Sequence, residues 1–385
     1  MLSGKREIGP QARLGGFTER LLYSREDRLI LACVRNAPES TGTVLASGLN
    51  WDRFIDRSAS CRVTPWVYLR LKSLAADNPV PEEALGRLRA IASCQLVHLM
   101  ELSAMLQEIV EKFLEKGIEA IVLKGVALAA AVYESPGLRM TDDLDLLVSP
   151  ADLAAGAGVF GALGFKQAAS SRLPPDLHHL PAFHKEDRLQ VELHWDIVPS
   201  SAPGTIAPEK LWERSRPIKI GTADTRMLGP EHLLLHAALH AAWGHTFSGM
   251  LFQLCDIRAV ASRFAREIDW EFLLAEAREN RIQVPAYWAF RLAVELTGAP
   301  IPTRVVNELK PPYARWSPRH AVLLILLPWV AITFESCASL GHPVLRVVRA
   351  LLNEDREWIA WSRVAKTLIG FRARLRTLGR LLTNP

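Results

Sequence analysis

Apolar side chains recur at helical spacing through most of the first 115 residues. The pattern predicts helices over Arg25–Val34 and Ala84–Leu114, with breaks at Asn36–Gly42, Gly48–Asn50 and Asp77–Pro81. From His98 to Lys116 the chain reads as a long amphipathic helix, with Gly117 placed to cap it. The period then changes. Ile118–Leu123 is a short β-branched and apolar run, Lys124-Gly125 interrupts it, and a helix-like stretch follows until Ser135-Pro136-Gly137. Leu144–Val148 reads as a second strand, 150–163 as a helix ended by Gly164, and Arg188–Trp195 alternates as a third strand. After Leu228 the spacing is helical again, starting at Gly229-Pro230-Glu231 and continuing through 269–298 and 319–334 into the tail. This predicts an α/β (α+β) core with a small mixed sheet over 95–225, between a helical region at 1–94 and a helical region at 226–385.

Composition narrows the class without naming an activity. The 385 residues, 49% hydrophobic and 23% charged, are enough for two or three domains at ~100–200 residues each. With 23 glycines and 24 prolines and no biased tract, fibrous and disordered classes are excluded. The net charge of +5 is unevenly placed, because the stretch from Ala338 onward holds nine basic residues against three acidic ones. The rest is near neutral, so nucleic acid is not the favoured partner. Arginines interleaved with Trp358, Trp361 and Phe371 leave RNA, an anionic surface or a solvated helix pair open for the tail alone. Five scattered cysteines without a CxxC pair suggest neither disulfides nor a zinc knuckle, and a cytoplasmic setting is expected. The longest apolar run, Ala321–Phe334, is interrupted by Pro328 and falls short of the ~20 residues a membrane span needs.

The candidate chemistry sits in Thr141-Asp142-Asp143-Leu144-Asp145-Leu146-Leu147-Val148. On a strand, Asp143 and Asp145 share one face while Leu144, Leu146 and Val148 share the other. Two carboxylates before a buried apolar run are costly without a cation between them, and the hard oxygen donors suit Mg²⁺. Glu192 offers a third acid on a strand whose Gln190, Glu192 and His194 share a face. If the two strands are neighbours, three carboxylates converge, enough for two metal ions. Lys124-Gly125, between a strand and a helix, could receive a polyphosphate, and Arg139 could add positive charge.

Val122-Leu123-Lys124-Gly125, Tyr133, Arg139 and Asp143-Leu144-Asp145-Leu146-Leu147-Val148, in that order, resemble the uncharacterised nucleotidyltransferase family of the DNA polymerase beta-like superfamily. Val191-Glu192-Leu193-His194-Trp195 is similar to its third-acid strand. Arg62–Tyr68 resembles its N-terminal helical region, and the helix carrying His240, with Leu254-Cys255-Asp256-Ile257, its C-terminal one. The resemblance covers about residues 25–300. One departure is that seventeen residues separate Gly125 from Asp143, more than the wider superfamily places between its glycine motif and its acids.

The resemblance implies a nucleotidyltransferase-fold core and metal-dependent transfer of a nucleoside monophosphate, with AMP from ATP expected. The acceptor would be a hydroxyl or phosphate of a small molecule, peptide or natural-product precursor, and pyrophosphate would leave. Asp143, Asp145 and Glu192 would hold two Mg²⁺ ions and act as the catalytic residues, with Lys124, Gly125 and Arg139 on the nucleotide. His194, His240 and Asp256 are candidates for the substrate cleft. Two alternatives stand beside this reading, a toxin- or resistance-type enzyme acting on tRNA or protein and a non-catalytic nucleotide-binding scaffold. His232, His236 and His240 share a helix face, but without HExxH or an acid at helical spacing they read as ordinary helix-face histidines. His178-His179 read as part of a solvated loop. The acceptor and the oligomeric state are not legible.

Overall fold

The computed structural model describes residues 23–311 apart from 46–47, 77–79, 168–177, 187–188, 200–201, 203, 245–246, 248 and 250. The expected helix at 319–334 and the basic tail lie outside the described residues.

The N-terminal third is helical: α1 (Arg25–Arg35), α2 (Pro38–Leu45), α3 (Trp51–Ser60), α4 (Thr64–Leu74) and α5 (Glu82–Glu115). Ser24 and Asp27 close a reciprocal capping box at the start of α1, each side chain taking up the other's backbone N–H. The 34 residues of α5 run for about 50 Å at ~1.5 Å per residue, burying Leu99, Leu102, Leu106, Ile109, Val110 and Phe113 along one face. The helix ends where expected. Gly117 adopts φ +70°, and the Ile118 N–H reaches back to the Phe113 carbonyl at 2.9 Å. The expected domain line at 94/95 falls inside this helix.

Seven strands form one mixed sheet in the order β3-β4-β5-β2-β1-β7-β6. They are β1 (Ile121–Val122), β2 (Asp143–Leu147), β3 (Lys166–Gln167), β4 (Phe183–Lys185), β5 (Leu189–His194), β6 (Arg216–Ile220) and β7 (Ala223–Met227). The three strands expected from sequence are all present, and four more extend the sheet on both sides. Central β2 pairs antiparallel with β1 and parallel with β5, with Asp145 level with Glu192. The helices α6 (Val126–Ala131), α7 (Leu153–Ala162) and α8 (Pro208–Glu213) occupy the connections. Behind the acids, α7 packs on the sheet so closely that a Cβ on Gly156 would lie 3.0 Å from Leu193. In the same layer Phe160 stacks on Phe113 and meets Phe183 edge to face.

Beyond β7, α9 (Pro230–Leu239) continues through one π-helical turn, His240–Gly244, and α10 (Leu251–Arg263), α11 (Trp270–Glu279), α12 (Gln283–Leu292) and α13 (Thr303–Glu308) follow. No helix among the described residues is long and apolar enough to cross a membrane.

Candidate active site

Parallel pairing of β2 and β5 decides the site. Side chains level with each other on neighbouring strands point the same way, so Asp143 and Asp145 stand beside Gln190, Glu192 and His194. Asp145 and His194 are buried behind, whereas the side chains of Asp143 and Glu192 keep 29% and 20% of their exposure. His194 Nε2 lies 3.2 Å from Asp145 Oδ1 and 3.5 Å from Glu192 Oε2, bridging the two carboxylates. Gln190 donates to Glu192 Oε1 at 3.0 Å and fixes its other oxygen.

From the opposite side Lys124 follows β1 and brings its ammonium to 3.2 Å from Asp145 Oδ2 and 3.6 Å from Asp143 Oδ2. The cation that paired acids require is thus supplied by the chain itself. Gly125 takes φ +57° and ψ −108°, a conformation restricted to glycine. A Cβ there would also meet Thr141 Oγ1 at 2.6 Å. Glycine lets the chain turn away from Lys124 while packed against the residues that lead into β2.

The charges settle into alternating signs. Burial would raise the Asp145 carboxyl, but Lys124 and the hydrogen bond to His194 outweigh it and hold it well below its ordinary value. Asp143 is instead pushed up, by burial and then by the charge of Asp145. Burial opposes the charge on Lys124 and on His194, yet the neighbouring carboxylates raise both. Glu192 is lowered because His194 outweighs its burial.

The histidine pair at 178–179 reaches this site, contrary to the solvated loop expected. The His179 ring lies 4.9 Å from that of His194, with its Nε2 4.0 Å from Glu192 Oε2. His178 stands 5.3 Å from the His194 ring, and burial followed by the neighbouring histidines lowers it to about 4. Backbone pairing places them, since the Leu180 N–H donates to the Leu193 carbonyl and the Trp195 N–H to that of His178.

Arg139 and Asp256 are brought to each other. Arg139 Nε lies 2.7 Å from Asp256 Oδ1, both side chains are buried, and Tyr133 donates to the same oxygen at 2.5 Å. The Phe252 ring is flanked by Arg139 and Arg62, each guanidinium 4.9 Å from its centre, and Arg62 also pairs with the exposed Asp142 at 2.8 Å. Arg62, read in the sequence only as part of a helical segment, is thus a second charge beside Asp143. His240 meets Gln253 and contributes to the field at Asp145. Of the other helix-face histidines, His232 stands apart, whereas His236 lies in the field of Lys124, Asp145, His194 and His178, its ring 6.2 Å from that of His240. His232 faces Glu276 at 3.7 Å, and burial, with Lys124 nearby, takes His236 down to about 3.

Among the described residues, Asp145, Glu192 and His194 form the group whose ligand atoms converge within 4.8 Å. Asp145 Oδ2 is buried and, among the described residues, is met only by the ion pair with Lys124 at 3.2 Å. A buried carboxylate oxygen of this kind, beside a second carboxylate and an imidazole, fits a divalent cation. Asp143 is not one of the three, though the Lys124 ammonium stands 3.6 Å from its Oδ2.

A model of the uncharacterised nucleotidyltransferase family matches residues 47–298. None of the curated proteins compared matches the chain. Three solved chains do. One, an antigenic nucleotidyltransferase-like protein from Paracoccidioides brasiliensis, is 15% identical to this chain, with 49% of this chain and 91% of that one covered and a TM-score of 0.28.

Proposed function

The chain belongs to the uncharacterised nucleotidyltransferase family, and from that premise we propose that it moves a nucleoside monophosphate, with AMP from ATP as the expected group, to a hydroxyl or phosphate of a small-molecule, peptide or natural-product acceptor. An acceptor oxygen forms the new bond to the α-phosphorus, the bond from that phosphorus to the β-phosphate oxygen breaks, and pyrophosphate leaves. We assign the acceptor's proton to Glu192, whose carboxylate is ionised and partly exposed beside the buried aspartate. Asp143, Asp145 and Glu192, with His194 against the last two, would hold the divalent cation. Their oxygen donors favour Mg²⁺, and three carboxylates could hold two ions. Such ions supply positive charge to the triphosphate and to the leaving pyrophosphate. Lys124, with its ammonium already against both aspartates, would meet any phosphate those acids help to bind, and Gly125 keeps the backbone out of its way. Arg139 contributes through the charge it places near Asp143, its guanidinium being ion-paired with Asp256 and donating to the Met140 carbonyl.

The observation that carries this reading is the level placement of Asp145 and Glu192 on parallel neighbouring strands, converging with His194. Incubation of the full chain with each of the four α-labelled nucleoside triphosphates, Mg²⁺ and a panel of acceptors tests it. Label transfer with stoichiometric pyrophosphate, abolished by EDTA and by Asp143→Asn, is expected. No pyrophosphate from any triphosphate, together with no Mn²⁺ binding that depends on Asp143 and Asp145, overturns it.

A further inference from the structure

Behind the Arg139–Asp256 pair lies a cavity of about 560 Å³, within the ~300–1,000 Å³ of small-molecule sites. Two helices face each other across it. Trp66 and Arg70 stand one turn apart on α4, and Arg258 and Ser262 one turn apart on α10, while Tyr133 and Leu138 close the side toward the sheet. None of Lys124, Asp143, Asp145 or Glu192 lines it.

Its polarity is one-sided. Arg70, Arg258 and Arg263 face a single carboxylate, the exposed Glu134. Arg258 is anchored, its guanidinium 5.5 Å from the Trp66 ring centre and donating to the Val34 carbonyl. Arg70 is not. Its Nε and one terminal nitrogen are sealed from solvent, and neither has a hydrogen-bond partner among the described residues. A guanidinium keeps its charge at any physiological pH, so it cannot relieve this by losing a proton. Those two donors are closed to a ligand as well, and it is the rest of the Arg70 side chain that lines the cavity. An anionic group seated among Arg70, Arg258 and Arg263 would meet three guanidinium charges opposed by one carboxylate, with its body against Trp66.

We propose that this cavity is a second small-molecule site, distinct from the carboxylate site, that binds an organic anion carrying a phosphate or carboxylate headgroup on an apolar or aromatic body. Arg70 is its principal recognition residue. The site shares a wall with the polar cluster beside the catalytic acids, since Tyr133 lines the cavity and donates to Asp256, which holds Arg139. It does not depend on which group the enzyme transfers.

Isothermal titration of the full chain with phenyl phosphate, with benzoate, and with benzyl alcohol as the neutral counterpart tests the proposal. Saturable one-to-one binding of at least one anion and none of the alcohol is expected; the tighter anion identifies the headgroup. Arg70→Gln should weaken that binding at least about 10-fold, while Asp143→Asn leaves it within about 2-fold. Because two of the Arg70 guanidinium nitrogens are buried without a hydrogen-bond partner among the described residues, Arg70→Gln should melt no lower than the native chain. Absence of saturable binding, equal binding of the alcohol, binding lost in Asp143→Asn but kept in Arg70→Gln, or a melting temperature lowered by Arg70→Gln would each overturn it.

Discussion

Two aspartates separated by one residue do different work. Asp145, 1% exposed, is the negative charge against which both Lys124 and His194 are buried. Asp145→Asn leaves those two cations with too little compensation, and a loss of about 3–5 kcal/mol is expected from breaking a buried pair on one side. Asp143 keeps 29% of its exposure and is raised by burial and by the charge of Asp145. Asp143→Asn removes a repulsion as well as an attraction, so its stability should stay within about 1 kcal/mol of the native chain while pyrophosphate release is lost. Urea unfolding of both variants beside the activity assay checks this; equal destabilisation would mean that Lys124 does not discriminate between them. That the two acids share a face was legible from the two-residue strand period. That Lys124 pairs with them was not. Its contact with the acids depends on β1 pairing with β2, and no local pattern encodes a partner across the sheet. The same holds for His178 and His179, set in a proline-rich stretch without a strand period and placed by backbone bonds to Leu193 and Trp195.

At the scale of elements, pattern strength separates what could be read from what could not. The long helix, its glycine stop and the strands bearing the acids announce themselves by periods sustained over several residues. β3 is two residues long and β4 three, too short to show a period. The β6–β7 hairpin carried a usable sign, the two-residue link Gly221-Thr222 between alternating runs, with φ +61° at the glycine. Helix α7 shows how packing then overrides propensity. Its glycines at 156, 158 and 161 look alike in sequence. A Cβ on Gly156 would press on Leu193 at 3.0 Å and Phe113 at 3.4 Å, whereas Gly158 and Gly161 have open space around them. Gly158→Ala and Gly161→Ala should each stabilise by about 0.5–1 kcal/mol through helix propensity. Gly156→Ala should destabilise instead, and Gly156→Val by about 1–3 kcal/mol from overpacking against the strand that carries Glu192 and His194. Thermal melts of the four variants decide it, and the same sign for all of them would show that α7 does not pack as tightly as the sheet requires.

Across the whole molecule, one cluster of buried apolar side chains runs from Tyr23 to Leu309, joining the helical flanks to the sheet. A change of sequence period marks where helices give way to strands, but the helices on either side close over a common interior. Their polar junction is the group formed by Tyr133, Arg139 and Asp256 with Phe252 and Arg62. It draws on the segment after α6, the approach to β2, α10 and the turn between α3 and α4. Burial pushes the Asp256 carboxyl up, and Arg139 and Tyr133 oppose that rise. The two partners are therefore unequal. Asp256→Leu strands a guanidinium that cannot discharge, and about 3–5 kcal/mol should be lost. Arg139→Met leaves a carboxyl that can take up a proton while keeping the Tyr133 hydroxyl, so it should cost less. With both replaced, no buried charge remains unpaired, and stability should recover most of the Asp256→Leu loss, with a coupling of about 1–3 kcal/mol in the double-mutant cycle. Measured by urea unfolding, strictly additive losses would show that the pair does not join the helical flank to the sheet. If the coupling appears and nucleotidyl transfer still falls in the repacked double variant, the junction also sets the charge around Asp143 on which the chemistry depends.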